Sequence, residues 1–325
     1  MDWRTDLFKF LGDIAGETGA NKNKPVPLAK GIDFNPPPIT LEPEDELEIV
    51  PAEKIRSSAI KVADKPFVEW FNNDFRPLHA GDHPTLKQYG KPAKKFPHVV
   101  DAAKFAAVFD QCAVLYQAEL TFEEFLAIFA VIYNETGGKF VPVSEIGSEK
   151  YMFEGKNGKL SYNGPPHRPA GDMLKAAGVL TEDADVAAWN STTDYPGTDD
   201  PALLAAAHEC DFWKFRGRGL VQLTWRNEYL KIVDPLLVAN GHKKCDELTE
   251  AELGEVIRTD PKVYIPMAAK TFKRHKSVLD TVSKYPPNWA PFGKAFGGSG
   301  EYGSLLQWRC RTLADAIWNV GYSTT

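Results

Sequence analysis

The chain has 325 residues, 43% of them hydrophobic, 25% charged and 12% aromatic, with a formal net charge of -6. This balance suits a globular protein of one or two domains that can bury a full core. It argues against a dedicated nucleic-acid binder, which carries a basic excess, and no apolar run approaches the roughly 18 residues of a membrane-spanning helix. The opening segment, MDWRTDLFKF, lacks a basic start followed by an apolar stretch, so no secretory signal is expected there.

The charge is unevenly placed. Residues 1–100 hold 14 basic and 15 acidic side chains, residues 101–209 hold 7 and 17, and residues 210–325 hold 17 and 12, giving -1, -10 and +5. The basic last third weakly favours an anionic ligand. Four widely spaced cysteines, Cys112, Cys210, Cys245 and Cys310, fit neither a dense disulfide scaffold nor a cysteine zinc site.

In chain order, Trp3, Leu7, Phe10, Leu11 and Ile14 recur at helical spacing and predict a short amphipathic helix. Residues 25–51 follow with a proline triplet and five acids between Glu42 and Glu48, and read as an extended arm. Twelve of the 24 prolines fall within residues 1–100, which are taken as an irregular extension or small accessory domain. From residue 101 the pattern turns helical. Phe105, Val108, Phe109, Cys112, Leu115 and Tyr116 form one stripe. Thr121-x-x-Glu124 then reads as a capping box ahead of Phe122, Phe125, Leu126, Phe129, Ile132 and Tyr133. Gly137–Gly138 should end that helix, because glycine permits the backbone reversal of a C-cap. Pro, Gly and Asn mark a loop over 155–171. Further helices are expected at 201–210, 225–233, 249–258, 264–275 and 303–319, with Leu220–Thr224 the best strand.

Glu135 occupies the last turn of the second helix. The negative end of the helix dipole and the preceding aromatic stripe would both favour its protonated form. A carboxylic acid held protonated near neutral pH is what glycoside cleavage needs to protonate a leaving sugar oxygen. Hydrolysis also needs a carboxylate to activate water, and Glu145, Glu149 and Glu154 all follow within 19 residues. A second dense segment is Phe215-Arg216-Gly217-Arg218-Gly219-Leu220-Val221-Gln222-Leu223-Thr224-Trp225. There Gly-x-Gly lets the backbone pass close to another chain or a ligand, and Gln222 and Thr224 would share one face of a strand.

Together these segments resemble glycoside hydrolase family 19, the chitinases and related endolysins of the lysozyme-like superfamily. Glu135-Thr-Gly-Gly is similar to that family's Glu-(Ser/Thr)-Gly-Gly. Phe215 to Tyr229 is similar to its (Tyr/Phe)-x-Gly-Arg-Gly-x-x-Gln-Leu-(Ser/Thr) signature, and Met267 to Lys273 weakly resembles a later helix. The likeness spans about residues 115–310. It implies a mainly α, lysozyme-like, two-lobed α+β domain over 101–325 with a small β element and no cofactor; the scattered histidines, without His-Glu-x-x-His, suggest no metal. It further implies Glu135 as general acid and Glu145 as base, with Glu149 and Glu154 as alternatives. Thr224 would help hold the water, Gln222 would contact substrate, and Arg218 would brace the cleft or pair with a catalytic carboxylate. Two departures stand out: Glu228 replaces the usual Asn, and Phe296-Gly297-Gly298 replaces Asn-Gly-Gly ahead of Arg309.

The expected activity is hydrolysis, inverting by family likeness, of β-1,4 bonds in an N-acetylglucosamine-containing polymer. Peptidoglycan is preferred to chitin because the acid-to-base spacing looks endolysin-like. A lytic transglycosylase, a non-catalytic wall binder, and an antibacterial effector whose residues 1–100 dock a secretion machine or immunity protein are the alternatives. Without a signal sequence, such a protein would reach its polymer by lysis or dedicated secretion. Gly298-x-Gly300-x-x-Gly303 has too little chain after it for a dinucleotide-binding unit. His79 and His83 lie in a proline-spaced region, and Cys112 sits on an apolar stripe. Of Trp189, Trp213, Trp225, Trp289 and Trp308, Trp225 is the one expected in the cleft.

Overall fold

The structure is a computed structural model that describes residues 60–88, 90–116, 121–160, 168–191, 193–283 and 287–324. The amphipathic helix expected over Trp3 to Ile14 and the proline-rich arm lie outside the described residues. What is described is mainly helical, with three small antiparallel sheets. Strand β1 (Ile60–Val62) lies between β2 (Lys65–Pro66) and β7 (Tyr322–Thr324), with Ile60 opposite Thr324 and Val62 opposite Tyr322. β3 (Asp82–Gln88) pairs with β4 (Lys91–Lys94), and β5 (Val143–Ser144) with β6 (Arg218–Gly219).

The helices are α1 (Phe67–Trp70), α2 (Ala102–Tyr116), α3 (Phe122–Glu135), α4 (Glu149–Leu160), α5 (Ala170–Ala176), α6 (Asp183–Trp189), α7 (Pro201–His208) and α8 (Asp211–Lys214). After β6 come α9 (Arg226–Glu228), α10 (Asp234–Ala239), α11 (Glu250–Thr259), α12 (Pro261–Arg274), α13 (Lys276–Val282), α14 (Trp289–Gly297) and α15 (Glu301–Val320). None of them is long and apolar enough to cross a membrane.

Helix α3 lies in the main hydrophobic core of the described residues. The expected capping box is present: Thr121 Oγ1 accepts from the Glu124 amide at 3.2 Å, and Glu124 Oε2 accepts from the Thr121 amide at 3.0 Å. Its stripe is apolar on the far side as well. Ala127, Ile128, Ala130 and Val131 are buried along with Phe125, Leu126, Phe129 and Ile132. A helix that is apolar all round belongs inside a core, where each large side chain contributes about 1.5–3 kcal/mol of burial. Helices α2, α12, α13 and α15 share that core.

Residues 60–100 also join this core. Phe67 meets Phe125 and Phe129 edge-on, both at 4.8 Å between ring centroids. Phe71 packs against Phe129 at 5.2 Å and Tyr133 at 5.6 Å, and Phe96 lies 5.9 Å from Tyr133. The helical body therefore includes the stretch from Ile60 onward, ahead of the boundary at residue 100 that proline content suggests. Phe67, Trp70, Phe71 and Phe75 have helical spacing, and they bury what the prolines around them cannot.

Two smaller clusters complete the interior. One gathers Phe215, Leu223, Tyr229, Leu253 and Met267; the other gathers Met152, Phe153, Leu174, Trp189 and Phe212. The four cysteines are free thiols, all buried, and Cys112 lies within the main core.

Candidate functional site

Glu135 closes α3. The Thr136 amide caps Ile132 O at 3.0 Å and the Thr136 hydroxyl donates to the same oxygen at 2.6 Å. Gly137 and Gly138 then reverse the chain with φ of 58° and 73°. A Cβ on Gly138 would stand 2.7 Å from Cβ of His98, so no side chain fits that turn. This geometry leaves the Glu135 carboxyl half-buried beside Tyr133 and Asn134. Burial is the largest effect on it and the negative charge of Glu145 adds to that; together they push its pKa from 4.5 up to about 7, against the bonds from Tyr302 and Asn134.

The carboxyl is held on one oxygen. Oε1 accepts from the Tyr302 hydroxyl at 3.0 Å and from Asn134 Nδ2 at 3.3 Å. Asn134 is oriented in turn by Arg309, whose Nη1 donates to Asn134 Oδ1. The same buried guanidinium donates to Lys95 O at 2.7 Å and Lys94 O at 2.9 Å, and lies 5.5 Å from the Tyr133 ring centroid.

Glu145 comes from the segment just after β5. Its amide donates to Gly217 O at 2.7 Å, and the Gly217 amide donates to Glu145 Oε2 at 2.9 Å. The close backbone passage expected at Gly-x-Gly is thus an approach to this carboxylate. A Cβ on Gly217 would fall 2.7 Å from Gln222 Oε1, 3.0 Å from Glu145 Oε2 and 3.3 Å from Thr224 Oγ1, so these three side chains converge on one spot. Gln222 Nε2 donates to Val143 O at 3.1 Å, and the Thr224 hydroxyl donates to Gln222 O at 2.9 Å.

The strand expected at Leu220–Thr224 is instead a tight reversal. Arg218 and Leu223 exchange both backbone bonds, at 3.1 and 3.0 Å, around Gly219 to Gln222. Gly219 has a φ of 85°, and a Cβ there would lie 2.0 Å from Met267 Cε, so the turn packs flush on α12. Gln222 and Trp225 also have positive φ, 50° and 82°. Non-glycine residues in that region carry backbone strain, which concentrates at functional sites. Gln222 and Thr224 share a side through this loop and not through strand alternation.

Arg218 is a brace. Fully buried, it bonds Glu250, Lys214 O and, at 3.5 Å, the Tyr229 hydroxyl. Glu250 also takes Arg216 at 2.7 Å. The alternative of Arg218 pairing with a catalytic carboxylate is not what the chain does. Glu149 meets His208 at 3.3 Å, and Glu154 accepts from the Tyr195 amide at 3.4 Å while pairing with Lys150 at 3.7 Å. Both sit on α4 with these local partners, whereas Glu145 is the carboxylate whose charge pushes on Glu135. Glu228 is buried and ion-paired with Arg274, tying α9 to the end of α12. Trp225 is half-buried against the cluster that includes Phe212.

The remaining sequence candidates are structural. His83 Nδ1 accepts from the Thr85 and Leu86 amides at 3.2 and 3.0 Å, while His79 stacks on Phe75. Among the described residues no group of three or more His, Cys, Asp or Glu side chains could hold a metal ion. Tyr302 was missed by sequence reasoning, because nothing local marks a contact that spans 167 residues. Compared with known proteins, the chain matches no family model, no curated protein and no solved structure.

Chemically, the arrangement offers one carboxyl that is protonated up to about pH 7 and a second carboxyl nearby, held by a backbone amide. An amide and a hydroxyl from Gln222 and Thr224 stand beside the second. That set can give a proton from Glu135 and accept one at Glu145, with an amide and a hydroxyl beside Glu145 to hold water.

Proposed function

We propose that this protein is a glycoside hydrolase that cuts β-1,4 bonds of an N-acetylglucosamine-containing wall polymer, peptidoglycan ahead of chitin. The observation that carries the reading is the pair of unlike carboxyls, with burial and Glu145 driving Glu135 to about 7. A carboxyl kept protonated by its surroundings, beside a second carboxylate, suits the roles of acid and base. Glu135 protonates the glycosidic oxygen as the C1–O bond breaks. Glu145 takes a proton from a water whose oxygen attacks C1, and Thr224 and Gln222 hold the water and the sugar. Attack from the opposite face inverts the anomeric centre and needs carboxyls roughly 6.5–9.5 Å apart. The lysozyme-like character of the fold and the wall location of the substrate belong to the same proposal. So does a role for residues 1–100 in docking a secretion or immunity partner.

Mass spectrometry of digests of purified peptidoglycan and of chitin oligomers tests this, with wild type beside Glu135→Gln and Glu145→Gln. The expected products carry free reducing ends from wild type and are reduced at least a hundredfold in either variant. Anhydro-sugar ends, with Glu145→Gln still active, would convert the reading to a lytic transglycosylase. Binding to wall material with no product from either polymer would overturn catalysis.

A further inference from the structure

The two oxygens of Glu135 are not equivalent. Oε1 receives two donors, the Tyr302 hydroxyl at 3.0 Å and Asn134 Nδ2 at 3.3 Å. The amide orientation of Asn134 is not free to reverse, because Arg309 donates to its Oδ1 and a donor there requires the carbonyl oxygen. Arg309 is itself locked by the carbonyls of Lys94 and Lys95. An oxygen already facing two N–H or O–H donors has no room for a proton of its own. The proton of the neutral acid must then sit on the other oxygen.

We propose that Tyr302 is a positioning residue for Glu135: with the Arg309-oriented Asn134 it occupies Oε1 and makes Oε2 the oxygen that hands its proton to the leaving group. The idea rests on the glycosidase reading for its consequence, though the hydrogen-bond geometry stands by itself. During transfer the Oε2–H bond breaks and an H–O bond forms on the departing sugar, leaving a carboxylate. Tyr302 and Asn134 need not move in that step. Their bonds to Oε1 strengthen as charge develops there, because bonds to an ionised acceptor are stronger than bonds to a neutral one. Tyr302 thus steers the proton and eases its departure from the Oε1 side of the carboxyl.

This arrangement also explains the opposing influences on the carboxyl. The bonds from Tyr302 and Asn134 favour the charged form, whereas burial and Glu145 oppose it. Without the two donors the charged form would lose that support, and the acid would release its proton less readily.

The test is Tyr302→Phe in the full chain, which keeps the ring and removes only the hydroxyl. Two readouts separate positioning from mere structural support. The first follows the Glu135 carboxyl by carbon NMR on glutamate-labelled protein, with Glu135→Gln to assign the signal. Its titration should move upward by roughly half a pH unit or more. The second is the pH profile of polymer cleavage. The alkaline limb should shift the same way while kcat falls about tenfold and KM stays within about twofold. Asn134→Ala should shift the titration in the same direction, giving a second variant if the first folds poorly. Unchanged Glu135 titration in both variants would overturn the proposal. If wild type cleaves neither polymer, the glycosidase reading fails, yet the NMR titration still decides whether Tyr302 governs Glu135.

Discussion

Replacing Glu135 by Gln should inactivate the protein and at the same time stabilise it, but only above mildly acidic pH. In the folded chain burial and Glu145 lift this carboxyl from 4.5 to about 7. Below about pH 4.5 the group is protonated in folded and unfolded chains alike, and its pKa shift costs nothing. Between there and pH 7 the unfolded chain releases its proton and the folded chain retains it, so stability drains away as pH rises. By pH 8 the folded chain carries a cost of about 3 kcal/mol, from the conversion of about 1.4 kcal/mol per pH unit. Glutamine resembles the neutral acid in shape and can still accept the Tyr302 bond on its oxygen, but it never ionises. The variant should therefore match wild type at pH 4 and exceed it by about 3 kcal/mol at pH 8. For a chain of this size that is a gain of about 5–10 °C in Tm. Calorimetry across pH 4–8 measures the difference directly. A gap that stays constant with pH would refute the argument that burial holds this proton.

Three further outcomes follow from the packing. Gly217→Ala should fold, because the new methyl meets only the side-chain ends of Gln222, Glu145 and Thr224, yet cleavage should fall at least tenfold by end-point assay. Phe71→Ala should cost about 3–5 kcal/mol in denaturant unfolding, since the ring is fully buried against Phe129 and Tyr133. A cost below about 1 kcal/mol would detach residues 60–100 from the core. Thr121→Ala removes the cap bond that its hydroxyl accepts from the Glu124 amide, keeps the backbone bond to Glu124 Oε2, and should cost about 1 kcal/mol by the same method, with little change in activity.

Much of α3 is legible because its signals are local. Thr121 and Glu124 are three residues apart, the apolar side chains recur every three or four, and two glycines stop the helix. The same logic places α2, α11, α12 and α15 within a few residues. It fails over 60–100, where proline content outweighs the aromatic spacing of Phe67, Trp70, Phe71 and Phe75, and no short window shows that α3 needs those rings. It fails again at Leu220–Thr224, where alternation mimics a strand but Gly219 and Gln222 take left-handed backbone angles. At the site, Glu135, Glu145, Gln222 and Thr224 can be nominated from motifs. The split between Glu145 and its rivals on α4 depends on a bond from the Gly217 amide across 72 residues, and the role of Tyr302 on a side-chain bond across 167. Contacts of that separation leave no periodic trace.

The Arg309 guanidinium gathers three stretches of chain, at 94–95, 134 and 309, whose members are up to 215 residues apart. An acid mounted on such a clasp cannot be armed piecemeal. A growing polypeptide that has made α3 but not α15 has Glu135 without the tyrosine or the oriented amide that set its proton. The carboxyl as described is complete only once both distant segments have met. For a protein proposed to cut cell-wall polymer, full activity would then require the helix that carries Tyr302 and Arg309 as well as the one that carries the acid.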